Sequence, residues 1–66
     1  MKAKMKIKGY KVVSLVWDRG EYMLFCTQDG RSPEKLILDA TDREDALEEA
    51  AILLGCEESQ LTITYP

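Results

Sequence analysis

From Lys2 to Lys8 the chain alternates lysine with Ala3, Met5 and Ile7, the period of two that gives a strand one wet and one buried face. Gly9 interrupts the alternation. Tyr10 to Trp17 then continues in β-branched and aromatic residues, so the pattern predicts one long strand bent or bulged at the glycine. Asp18-Arg19-Gly20 ends it in a tight turn that uses glycine's tolerance of positive φ, and Tyr22 to Thr27 returns as the antiparallel neighbour. The run Gln28-Asp29-Gly30-Arg31-Ser32-Pro33 is the strongest loop signal, and Leu36-Ile37-Leu38 after it makes a short third strand.

Beyond this point the period changes. Thr41-Asp42-Arg43-Glu44 has capping-box spacing, which predicts a helix over 41–54 with Thr41 as its cap. Ala46, Leu47, Ala50, Ala51, Leu53 and Leu54 share one broad helical face, with Glu44, Asp45, Glu48 and Glu49 opposite or flanking. Gly55 stands where a left-handed C-cap is wanted. Leu61, Ile63 and Tyr65 alternate with Gln60, Thr62 and Thr64 as a final strand. The elements predict one α+β domain over 1–66 with the order β-β-β-α-β: a four-stranded, mainly antiparallel sheet with one helix packed on one face. A right-handed crossover would set the last strand parallel to the first, in the sheet order third, second, first, fourth.

One stretch has a likeness. Asp39-Ala40-Thr41-Asp42-Arg43-Glu44-Asp45-Ala46-Leu47-Glu48-Glu49-Ala50-Ala51-Ile52-Leu53-Leu54-Gly55-Cys56, followed by Leu61-Thr62-Ile63-Thr64-Tyr65, resembles the small N-terminal domain of the bacterial Jag proteins. The resemblance covers under half of the chain and is carried by a capped helix followed by a strand. Jag proteins also carry a KH domain and a further domain associated with nucleic acid; the resemblance implies a fold for this stretch and transfers no site residue.

At 66 residues, 45% hydrophobic and 32% charged, the chain has a globular composition with room for one small core. Domains of this size usually need a disulfide, a metal or a partner chain as well. Cys26 and Cys56 are the only cysteines, thirty positions apart, with no Cys-x-x-Cys pair and no histidine. They read as buried thiols of a reducing compartment, so no metal or cofactor is expected and a partner chain is favoured. The longest apolar stretch, Val12 to Trp17, is interrupted by Ser14 and falls short of a signal-peptide core or a membrane span, which points to the cytoplasm.

The net charge of -3 is unevenly spread. Lys2, Lys4, Lys6, Lys8 and Lys11 stand without an acid among the first eleven residues, whereas from Asp39 onward eight acids face only Arg43. A pI near 4.8 argues against a dedicated nucleic-acid binder but leaves the local basic strip available. Lysines and glutamates at such positions also serve simply to solvate outward faces.

Chemistry is scarce. Without histidine there is no imidazole acid–base catalysis and no histidine-activated nucleophile. Glu44, Asp45, Glu48 and Glu49 belong to a solvated helix face. No base or cation neighbours either cysteine in sequence, and the glycines stand alone at 9, 20, 30 and 55 instead of forming a phosphate loop. The chain therefore reads as a non-enzyme.

Two functional readings remain, and the first comes from counting faces. Val13, Leu15 and Trp17 point one way and Val12 and Val16 the other, while Tyr22, Leu24 and Cys26 oppose Met23 and Phe25. One helix covers one side. The reading is a homodimer, or a complex with another protein, joined through apolar side chains left outside; its candidate surface residues are Val12, Trp17, Tyr22, Phe25 and Ile52, the last lying among Asp45, Glu48 and Glu49. In the alternative, Lys4, Lys6, Lys8 and Lys11 follow the phosphates of single-stranded RNA while Tyr10, Trp17, Tyr22 or Phe25 stack on bases.

Overall fold

Arg19 and Gly20 reverse the chain between its first two strands, both with positive φ, at 52° and 82°. This is the two-residue turn whose twist matches that of a β-hairpin. It sets strand β1 (Val12–Asp18) against β2 (Glu21–Thr27) with Asp18 opposite Glu21, and so places Leu15 opposite Leu24 and Val13 opposite Cys26. The computed structural model describes residues 7–65.

A second reversal closes through a hydrogen bond from the Arg31 N–H to the Gln28 carbonyl at 3.1 Å, with Gly30 at the positive-φ position a type II turn reserves for glycine. After Pro33 comes β3 (Glu34–Ile37), antiparallel to β2. It begins two residues before the predicted third strand and ends one earlier. Leu38 has left the ladder, but its N–H still donates to the Tyr22 carbonyl and its side chain turns into the core.

Helix α1 (Arg43–Leu54) follows, then a single 3-10 turn at Glu58–Gln60 and the short β4 (Ile63–Thr64). Strand β4 lies parallel to β1, with Ile63 beside Leu15, and the sheet order is β3-β2-β1-β4. The predicted architecture and strand order are those observed. The 3-10 turn was not foreseen; it is held by the Glu57 N–H donating to Gln60 Oε1 at 3.0 Å, and it leaves β4 shorter than the alternation over Gln60–Tyr65 suggests.

The core lies between one sheet face and α1. Leu15 and Leu24 are fully buried at 0% exposure, joined by Val13, Tyr22, Ile63 and, from the helix, Ala46, Ala50, Ala51 and Leu54. Three of these four helix residues are alanine, so α1 can sit close to the sheet and large side chains come mainly from the strands. Leu53, expected on the buried stripe, is half exposed. At about 100° per residue it falls on the margin of the stripe beyond Ala46, away from Ala51.

Two local expectations need correcting. The helix cap is Asp42, one residue later than predicted: its Oδ1 accepts from the Asp45 N–H at 2.9 Å. Asp42 and Asp45 have the same three-residue spacing as Thr41 and Glu44, and the aspartate satisfies the free N–H of the third helical residue, Asp45. The other correction is at Gly9. There the chain is not one long bent strand, because Gly9 has φ 91° and the Tyr10 N–H donates to the Ile7 carbonyl at 3.0 Å, closing a turn. Ile7 lies in the core, while the Lys11 N–H rejoins the ladder at the Thr27 carbonyl, 2.7 Å away. The predicted strand over Lys2–Lys6 lies outside the described residues. Gly55 does adopt the left-handed conformation, φ 69° and ψ 36°, its N–H donating to the Ala51 carbonyl.

Two substitutions test this account by urea denaturation. Asp42→Ala should lower stability by about 1 kcal/mol and Thr41→Ala by only a few tenths. Arg19→Asn should raise stability by roughly 0.5–1 kcal/mol, since asparagine accepts positive φ more readily than arginine.

Candidate interaction face of the sheet

Because α1 covers the face that carries Leu15 and Leu24, the alternate residues of every strand point to the other side. The pairing arranges them in rows. Thr64, Val16, Met23 and Ile37 form one row across all four strands; Ser14, Phe25 and Lys35 form the next, and Val12 and Thr27 a third. Side chains in such rows stand about 5 Å apart and touch their neighbours. Val16, Met23 and Phe25 are half-buried, while Val12 and Ile37 at the borders are 54% and 56% exposed. The buried residues of α1 lie on the other face, with Leu15 and Leu24. Lys35 is the one charge within them, and the carboxylates of Asp18 and Glu21 stand side by side at the hairpin end.

The five residues singled out for an interaction surface fall in three places. Val12 and Phe25 lie on the open face. Trp17 and Tyr22 are paired on the opposite face, where Tyr22 is buried and Trp17 packs against the core and against Tyr65, ring centres 6.0 Å apart. Ile52 stands on the outer side of α1, 73% exposed. Val16, Met23 and Ile37 complete the open face. The first two were visible in the alternation; Ile37 was not, because its side depends on the register of β3 against β2.

For the basic strip, Lys8 and Lys11 are exposed, and Lys4 and Lys6 lie outside the described residues. The aromatics proposed to stack beside them do not share a face. Tyr10 and Trp17 pack on the core, Tyr22 is within it, and Phe25 alone is on the open side.

Neither thiol is activated. Both cysteines are free, and burial pushes each thiol above its ordinary value, assisted by the neighbouring Glu34 at Cys26 and Glu57 at Cys56. Among the described residues no group of acids and cysteines is placed to hold a metal ion, and no helix is long and apolar enough to cross a membrane. Comparison with protein-family models, curated proteins and solved structures finds no match.

The thiols give a pH test. A group whose folded pKa is raised contributes stability that is complete below its unfolded value, here 9.0, and is lost as the pH climbs through the shifted one. The urea midpoint should therefore fall above pH 9, and less steeply in Cys26→Ala than in the parent chain; Cys56 and Tyr22, raised in the same direction mainly by burial, account for the slope that remains.

Proposed function

We propose that the chain is a non-enzymatic, cytoplasmic interaction module that works as a homodimer, each copy packing its open sheet face on that of the other. The observation that carries this is the continuous apolar block of Val16, Met23, Phe25 and Ile37, to which α1, packed on the other face with Leu15 and Leu24, contributes no cover. A second copy suits it because the middle of the face holds no charge and Lys35 stands on the outermost strand, so apposed copies bring no like charges together at the centre. Two twisted sheets meeting in this way give an aligned sandwich about 10 Å deep.

Size decides how tight the dimer is. Four strands at about 4.8 Å and at most seven residues at about 3.3 Å bound the face at roughly 20 Å by 20 Å, below the ~800 Å² per partner of a standard stable interface. Association costs several kcal/mol in lost freedom, while each fully buried Val, Met or Phe returns about 1.5–3 kcal/mol. The balance favours a micromolar dimer. Chemistry supports the non-enzymatic part, with no histidine in the chain and both thiols driven toward the neutral form; the free thiols support a reducing compartment. The resemblance of residues 39–65 to the Jag N-terminal domain belongs to the same proposal and suggests a bacterial source.

Sedimentation equilibrium provides the test. At tens of micromolar the parent chain should be largely dimeric, with a dissociation constant on the order of 10 µM. Phe25→Lys should weaken the dimer at least tenfold while keeping the circular dichroism of the fold, and Ile52→Lys should leave it unchanged. A parent chain that stays monomeric at about 1 mM would remove the proposal.

A further inference from the structure

On the side of the molecule away from the open sheet face, Ile52 is the most exposed of the large apolar side chains among the described residues. It stands in a shallow groove between the C-terminal half of α1 and the 3-10 turn, together with Ala51 and Cys56. Glu48, Glu57 and Glu58 surround these apolar groups, and among the described residues no lysine or arginine lines the groove. A second source of negative potential lies in the backbone. The last turn of α1 carries no basic residue, so the negative end of the helix dipole adds to the carboxylates where a cation would normally offset it.

We propose that this groove docks a cationic peptide segment of a partner protein, one in which an aliphatic side chain is flanked by lysines or arginines. The aliphatic group covers Ile52 and the surface of Ala51 and Cys56. The flanking cations meet Glu48, Glu57, Glu58 and the helix end. Charge selects this occupant: a nucleic acid, an acidic peptide or an anionic membrane would bring like charge against three carboxylates. Apolar contact selects a register, since a bare polycation would find nothing to place on Ile52. The site is independent of the proposed dimer, because α1 and the open sheet face lie on opposite sides of the sheet.

Fluorescence anisotropy with labelled octapeptides tests the proposal, one alternating lysine with isoleucine, one lysine with serine and one glutamate with isoleucine. On the full chain the lysine–isoleucine peptide should bind saturably with a dissociation constant on the order of 100 µM, and the other two at least roughly tenfold more weakly. Ile52→Ser should weaken the first peptide about tenfold, a change that an exposed position tolerates without unfolding, and the pair Glu48→Lys with Glu58→Lys should remove saturable binding. Val12→Lys, on the opposite face, should leave it unchanged even where it weakens the dimer. Equal binding of the lysine–isoleucine and lysine–serine peptides, or no effect of Ile52→Ser, would reduce the interaction to unspecific charge attraction and overturn the proposal, as would failure to saturate by about 1 mM.

Discussion

Leu15 and Leu24 face each other across the first hairpin, and neither is reached by solvent. Their pairing depends on the two residues of the turn, Arg19 and Gly20, because a slip of one position in either strand would send its alternate set inward. In most hairpins such a slip is opposed by the pattern itself, which would bury polar groups. Here both sets are rich in apolar residues, so the pattern resists weakly and the geometry of the turn becomes the deciding influence. Everything beyond the hairpin inherits that choice: which side α1 covers, where Ile63 docks, and which side chains remain outside.

The same property explains why the two faces differ in kind. The covered face combines branched aliphatic residues from the strands with alanines from the helix, a pairing of large with small that brings the layers close. Among the described residues no helix brings small side chains onto the open face, and Val16, Met23 and Phe25 there remain half accessible.

Much of this could be read in the residues before any coordinates. Strand order, the helix, the hairpin and the left-handed Gly55 were legible because each rests on a local signal that agrees with the global fold. The failures share a different cause, which is that the local signal allows two alternatives and does not decide between them. Thr41 and Asp42 both begin a cap with an acid three positions later, and the selection between them depends on where the helix must start to bring Ala46, Ala50 and Leu54 onto the sheet. Gly9 could mark either a bulge or a turn; the alternation already put Ile7 on a buried face, but the turn closed by the Tyr10 N–H on the Ile7 carbonyl is invisible to periodicity. Of the interaction face, the β1 and β2 components were legible from alternation alone, while Ile37 required the pairing of β3 and the segregation of Trp17 and Tyr22 required knowing which side α1 takes.

The brevity of β4 bears on how the chain folds. The meander β1-β2-β3 is made of neighbours in sequence, whereas the contact of Ile63 with Leu15 spans most of the chain and rests on two ladder positions. Closing a loop of that length costs entropy that so few hydrogen bonds hardly offset, so the contact forms once α1 has already carried the C-terminus back to the sheet. The β4 edge of the sheet is accordingly expected to form late, and its opening would uncover the flank of Leu15 while leaving the hairpin paired.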